Sequence, residues 1–311
     1  MNTPVYYTQR SVKTRFLNML RSAFKIPVFE RLLAKAVSGH EPNSFRGRLV
    51  PLEYQYAKGA WRTITRSGLK YRLDISNTVD YWAYFNFINH GDIELDRLIK
   101  PDDTVVDIGA NIGTRAMDFA RLAPQGTVIG FEPDPDTHLR LLEHIRMNGL
   151  TRLKPINKGI GPVERNELLH RVVDNNPGMN RIITNHTVDD DHGSVQISLT
   201  PLSPVLSGLG INRVNVIKID VEGFEFEVLK GCEDVIDAYH PILFIELDND
   251  NLTNNGSTAR ELVDWVRAKG YHIKIAGSDA PLPTNFDNCH FDILCIHAPT
   301  QPAEPQVHHQ P

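Results

Sequence analysis

Five acidic residues stand where apolar runs of this chain turn or end: Asp107 in TVVDIGANIG, Glu132 in TVIGFE, Asp220 and Glu222 in VIKIDVEG, and Glu246 in PILFIEL. Thr104, Val105, Val106 and Ile108 suit a strand buried on both faces, and Gly109, Ala110, Asn111 and Gly113 permit a tight turn that a ligand can approach closely. Ala116, Phe119, Ala120 and Ala123 recur at helical spacing before Gly130, Phe131 and Glu132 complete a second strand. That is half of a nucleotide-binding βαβ unit. Glu132, nineteen residues after Gly113, takes the place of an acid that holds two ribose hydroxyls. The turn reads GANIG rather than GxGxxG. A pyrophosphate needs the additional glycines and a helix N-terminus, so the expected ligand carries a ribose and no diphosphate.

The second group lies a hundred residues on. Asp220 ends the strand Val214–Ile219, Glu222 follows, and Gly223 opens a helix with Phe226, Val228, Leu229, Val235 and Ile236 as its apolar positions. Ile242 to Ile245 then deliver Glu246 and Asp248 to the same sheet edge. Ligands of an open α/β sheet bind at the carboxyl ends of its strands, so Asp220, Glu222 and Glu246 are expected to share a crevice with the Gly109–Gly113 turn. Carboxylates crowded there raise at least one pKa toward a value useful for proton transfer, or else hold a divalent ion with hard oxygen ligands. Plainer alternatives stand beside this one: Glu222 capping the next helix or pairing with a cation, and Glu246 serving structure alone. No metal site is assigned, since Cys232, Cys289 and Cys295 lack CxxC spacing and the thirteen histidines form no HxxxH pair with a third ligand.

Around these residues the chain supplies positioning elements. Ser11 to Ser38 reads as two amphipathic basic helices broken at Pro27, either a helical appendage on the main domain or a docking surface for a membrane or a synthase partner. Pro42 to Pro51 reads as a linker. A hairpin, Trp61–Thr65 with Leu69–Leu73, turns at Gly68. The aromatic segment Asn77–Asn89 forms a helix ended by His90 and Gly91, and Asp92 caps the next one; both are placed over the mouth of the cofactor pocket. The aromatics there serve as core, or less readily as a substrate wall. Glu94 is a candidate contact to a ligand ammonium, against its reading as a first-turn acid. Pro133–Met147 is helical, Leu153–Ile156 a third strand, and Val163–Val173 pairs antiparallel with Val195–Leu199. Between these partners, Asn175 to Asn180 reads equally as a candidate substrate loop or as a mobile surface excursion. Ser257–Lys269 and the strands Tyr271–Ala276 and Phe291–His297 close the fold before a disordered proline-, glutamine- and histidine-containing tail, 299–311.

With 311 residues and 41% hydrophobic content the chain can bury a sizeable core. Its net charge of −5 gives no case for nucleic-acid binding, but residues 1–48 carry nine Lys/Arg and two Asp/Glu, hence +7, leaving −12 for the rest. Three cysteines without pairing spacing fit a reducing compartment, and no apolar run reaches the ~20 residues of a membrane span. The polar start MNTPVYYTQR lacks a signal-peptide pattern, so cytoplasmic residence is the expectation. Oligomeric state is left open.

Two blocks, VVDIGANIG leading to FEPDP and VIKIDVEGFEFEVLKG leading to PILFIEL, resemble the FkbM family of S-adenosylmethionine-dependent methyltransferases, over roughly Asn89 to Leu247. The resemblance implies an α/β fold with a doubly wound, mostly parallel seven-stranded sheet and an antiparallel final strand. Residues 1–75 would form a helical and hairpin extension and 76–298 the methyltransferase domain. It implies O-methylation of a hydroxyl on a sugar or specialised metabolite, hence a small-molecule or glycan acceptor. By the same resemblance Asp107 and the backbone of Gly109, Ala110, Asn111 and Gly113 surround the methionine end of S-adenosylmethionine. Glu132 holds the ribose, and Asp220 and Glu222 lie beside the transferable methyl. Ser203 stands where many members place an acidic residue. An NAD(P)-dependent oxidoreductase is the competing enzyme class, disfavoured by GANIG. A non-catalytic adenosylmethionine-binding module would have no use for Asp220 and Glu222.

Overall fold

The computed structural model describes residues 12–171, 180–182 and 193–297. In chain order it begins with α1 (Val12–Arg21), α2 (Pro27–Val37), the hairpin β1 (Trp61–Arg66) and β2 (Leu69–Asp74), then α3 (Thr78–Phe85) and α4 (His90–Leu98). There follow β3 (Thr104–Ile108), α5 (Thr114–Leu122), β4 (Thr127–Phe131), α6 (Pro135–Asn148), β5 (Leu153–Ile156), β6 (Gly159–Ile160), β7 (Arg165–His170), β8 (Arg181–Ile182) and β9 (Ser194–Thr200). The last third supplies α7 (Leu202–Gly208), β10 (Val216–Ile219), α8 (Glu225–Gly231), α9 (Glu233–Tyr239), β11 (Ile242–Asp248), α10 (Asn249–Asn254), α11 (Ala259–Ala268), β12 (Tyr271–Ile275) and β13 (His290–His297).

Seven strands form one sheet in the order β12-β13-β11-β10-β3-β4-β5, and β13 alone runs antiparallel to its neighbours. The near-continuous apolar runs are explained by the pleat, because successive side chains leave opposite faces and both faces are covered. Val106, Ile108, Ile129, Phe131, Ile217, Ile219, Leu243 and Ile245 pack with α7 to α11, whereas Val105, Val128, Val216 and Phe244 pack with α2 to α6. Each fully buried Leu, Ile or Phe among them contributes about 1.5–3 kcal/mol. A second sheet, β6-β9-β7-β8, contains the expected antiparallel pair β7–β9.

Local signals explain most boundaries. Ser67 and Gly68 both have positive φ, 51° and 84°, the pairing a two-residue hairpin turn requires. Asp134 caps α6, Gly149 ends it in the left-handed region, and Thr258 with Glu261 makes a capping box at α11. At α4 the expectation is corrected. Asn89, not Asp92, is the cap: its side chain accepts from Gly91 N and Asp92 N, so His90 and Gly91 begin the helix rather than end the previous one. The hairpin and α2 share one core with the large sheet: Leu33, Val37, Tyr71 and Leu73 pack in the same cluster as Val105, Met117 and Phe244. Glu30, almost fully buried, is held there by Arg62 at 2.6 Å and by the Tyr84 hydroxyl at 3.0 Å. The expected tail, 299–311, lies outside the described residues.

Candidate active site

The charged residues of the crevice come from one face of the sheet, by period 2. In the register of β3 with β10, Asp107 lies opposite Lys218, two residues along from Val105 and Val216 on the α2-to-α6 side. Lys218 Nζ is 3.0 Å from Asp220 Oδ2 and 3.8 Å from Asp107 Oδ1. Burial alone would lower the lysine's pKa, but these two carboxylates raise it, so Lys218 stays charged. Two residues beyond Lys218 and Phe244, at the carboxyl ends of β10 and β11, the same face carries Asp220 and Glu246. Asp292 of β13 lies directly opposite Glu246.

The GANIG turn uses up its own donors. Gly109 N and Ala110 N go to Phe131 O, Asn111 N to Glu132 Oε2 at 2.9 Å, Ile112 N to Asn111 Oδ1 at 2.7 Å, and Gly113 N to Ala110 O. The turn itself therefore offers no free N–H group to a pyrophosphate. Gly109 has φ +85°, and a Cβ there would run into the Asp220 carbonyl, so the two motifs meet backbone to backbone. Glu132 accepts from Asn111 N and from Asp134 N, each at 2.9 Å. Burial raises its pKa to about 8 against the pull of those two N–H groups. Each oxygen retains acceptor capacity, as ribose hydroxyls require.

Glu222 sits in the left-handed region at φ 55° and accepts from Asn251 Nδ2 at 3.0 Å; Arg181 in turn donates to Asn251 Oδ1 at 2.6 Å. Glu222 does not cap the next helix, which has no side-chain cap; Glu225, buried, braces the preceding turn by accepting from Val221 N and Gly223 N. Ligating oxygens of Asp220, Glu222 and Glu246 all lie within 4.8 Å of one another. Burial first, then Asp220 and the neighbouring glutamates, push Glu222 and Glu246 well above the carboxylate range, Glu246 the further. Three anions so close cannot all ionise; the cluster holds a proton at neutral pH, or the spacing suits one divalent cation.

A cavity of about 950 Å³ is lined by Gly109, Ala110, Asn111, Glu132, Asp220, Glu222 and Glu246, and by residues of α3 and α4 above it. An adjoining cavity of about 360 Å³ shares Lys218, Asp220 and Glu246 with it. The aromatic segment divides: Tyr81, Tyr84 and Phe85 are core, while Trp82 and Phe87 line the larger cavity. Asn180 lines it as well and donates to Asp134 at 3.1 Å; Asn175 is outside the described residues. Gly113, capping α5, and Asp107, fully buried behind Lys218, do not line the wall. Glu94 is corrected: it lines neither cavity, and its carboxylate is taken by Lys274 at 2.8 Å and Gly277 N at 2.7 Å. Ser203 lines neither cavity.

Sequence reasoning missed Lys218, Arg115 and His290, all on the cavity walls, and Asn251, which holds Glu222. Lys218 had a signal, a lone cation inside an apolar strand, which demands buried partners. Arg115, held by Asp96 at 2.6 Å and Asp92 at 3.2 Å, had none, and neither had His290, 2.9 Å from Asp248.

Residues 107–273 match the family model described as the methyltransferase FkbM domain. The chain belongs to that family. It is 29% identical over 197 residues to "Methyltransferase 1" of Beauveria bassiana, covering 58% of this chain and 76% of that protein. With the "31-O-demethyl-FK506 methyltransferase FkbM" of Streptomyces tacrolimicus it shares 32% identity over 178 residues, 48% of this chain and 64% of the other. With the "Hexuronic acid methyltransferase AglP" of Haloferax volcanii it shares 26% over 181 residues, 57% and 70%. This FkbM-type chain is therefore a methyltransferase, of a family whose cofactor is S-adenosylmethionine, and the oxidoreductase and non-catalytic readings fall away. The residues present fit that cofactor. Glu132, on the cavity wall, keeps spare acceptor capacity for ribose hydroxyls beside the Gly109–Gly113 turn, whose own N–H groups are taken.

Proposed function

We propose that this FkbM-type enzyme methylates a hydroxyl of a sugar or specialised metabolite, with Glu222 as the base. The observation that carries the reading is the convergence of Asp220, Glu222 and Glu246 on the wall of the larger cavity, their ligating oxygens within 4.8 Å of one another. S-adenosylmethionine, when bound, supplies an electrophilic methyl group on a sulfonium centre. Glu132 and the Gly109–Gly113 turn hold its nucleoside and methionine parts. The chain's remaining work is to orient an acceptor hydroxyl at near-attack distance and to take its proton as the oxygen gains a bond to carbon. Glu222 suits that work because Asn251 fixes its carboxylate and its raised pKa makes it a stronger base than an ordinary glutamate once ionised. Glu246, raised further, stays protonated and keeps the cluster from carrying three charges. Relatives named as a 2-O-methyltransferase and a 31-O-demethyl-FK506 methyltransferase support an oxygen acceptor, and one named as a hexuronic acid methyltransferase supports the sugar class.

Glu222→Gln tests the assignment. Turnover should fall about 10²- to 10⁴-fold while S-adenosylhomocysteine binding is unchanged. A base must be unprotonated, so wild-type activity should be lost as pH falls through a value well above the ordinary ~4.3 of glutamate. Undiminished turnover in the variant removes Glu222 as the base. Turnover abolished by a chelator and restored by Mg²⁺ reassigns the three carboxylates as metal ligands.

A further inference from the structure

The N-terminal helices are built the wrong way round for a surface that faces water. On α1 the inward position is polar: Asn18 is buried, donates to the Tyr54 hydroxyl at 3.0 Å and accepts from Arg21 at 3.1 Å. The outward positions are Phe16, Met19 and Leu20, spaced i, i+3, i+4 and 57%, 63% and 52% exposed. Helix α2 buries Leu33 and Val37 in the core and turns the opposite stripe outward, Val28, Arg31, Leu32 and Lys35, spaced i, i+3, i+4, i+7. Phe45 stands 84% exposed in the loop that follows. Ten of the eighteen large apolar side chains exposed among the described residues fall within 16–49.

Charge says what this face meets. Between 15 and 49 the exposed ionic side chains are Arg15, Arg31, Lys35, Arg46 and Arg48 against a single acid, Glu41, while Glu30 is buried. A second copy of the chain brought up by a two-fold axis would set these cations against themselves. An anionic lipid surface accepts them and buries the apolar rows in its headgroup boundary. Among the described residues no helix is long and apolar enough to cross a membrane.

We propose that Arg15–Leu49 is an interfacial docking surface that lies flat on anionic lipid. Helix α2 leads from it to the active site: Ser38 and Gly39, just past its end, line the larger cavity, within about 10 Å of Leu32 along the axis.

Co-sedimentation of the full chain with phosphatidylcholine vesicles, with and without a third of phosphatidylglycerol, tests this. Only the anionic vesicles should retain the protein, and raised salt should release it. Arg31→Gln with Lys35→Gln should weaken partitioning about fivefold per charge. Val28→Ser with Leu32→Ser, at exposed positions, should weaken it at least tenfold with thermal midpoint and S-adenosylhomocysteine binding unchanged. Equal retention by neutral vesicles, no retention by anionic ones, or binding that ignores both pairs of substitutions overturns the proposal. So does a concentration-dependent dimer abolished by the apolar pair, which assigns the face to a second copy.

Discussion

The two walls of the crevice are made differently. The cofactor wall, Gly109 to Glu132, is local in sequence and nearly closed in its hydrogen bonding: each turn N–H has a partner within the motif, and Glu132 is oriented by two of its neighbours. The opposite wall gathers Asp220, Glu222 and Glu246 from two strand ends, leaves Glu246 Oε2 without a hydrogen-bond partner among the described residues, and depends on Asn251 and Arg181 from separate segments. A ligand common to a whole fold can be met by a fixed local frame. Proton removal needs carboxylates held at tension by their neighbours, and that tension exists only after assembly.

Lys218 joins the two walls, and removing it should have the largest effect. Lys218→Met leaves Asp107 as a buried carboxylate without its cation and deprives Asp220 of its nearest positive charge. Breaking such a pair costs about 3–5 kcal/mol. Urea unfolding should show most of that loss, and Asp107→Asn in the same chain should recover part of it. A variant as stable as wild type would mean that Asp107 is already neutral and that the walls are independent.

Glu132→Gln acts on the cofactor wall alone. Hydrogen bonds to a charged acceptor contribute about 1.5–3 kcal/mol, so S-adenosylhomocysteine affinity should fall about ten- to a hundredfold. The pH dependence sharpens the point. Burial holds Glu132 near 8 in the free pocket, and the ionised form is the stronger acceptor for ribose hydroxyls. Below that pH binding must first release a proton. Wild-type affinity should therefore weaken as pH falls below about 8, by up to tenfold per unit, and level off above it. Titration calorimetry across pH should show this slope in wild type and a flat line in the variant; a slope that survives the substitution places the titrating group elsewhere.

The same contrast explains what the sequence could disclose. Apolar runs of four or five residues, each ending in glycine or an acid, disclosed the strands and their carboxyl edge, because burial on both faces leaves few other sequences possible. Asp220, Glu222 and Glu246 were legible as strand-end acids, yet their mutual approach within 4.8 Å depends on the β10–β11 register and on the left-handed backbone at Glu222. The division of labour between Glu222 and Glu225 was hidden for a related reason. Either acid suits a first helical turn, and only the packed loop decides which is buried against Val221 N and Gly223 N. The role of Asn89 as a cap was obscured by the helix-breaking look of His90–Gly91, which tertiary packing overrode.

Glu94 provides the smallest effect and the cleanest control for the boundary of the cofactor wall. Its position, five residues past Asn89 on the helix over the pocket, makes it a reasonable partner for a ligand ammonium by sequence. The helix turns it the other way, to Lys274 of β12 and the backbone of Gly277, while Asp92, Ile93 and Asp96 on the other side of α4 line the cavity. The lysine and the Gly277 N–H hold its pKa below the usual range, so the pair is ionic at neutral pH. Both partners are partly exposed, and ion pairs of that kind contribute about 0–1 kcal/mol. Glu94→Ala should lower the thermal midpoint by a few degrees at most and leave S-adenosylhomocysteine affinity within error of wild type. A tenfold loss of affinity with stability intact would put Glu94 back on the cofactor, and would require α4 to rotate by roughly a third of a turn when ligand binds.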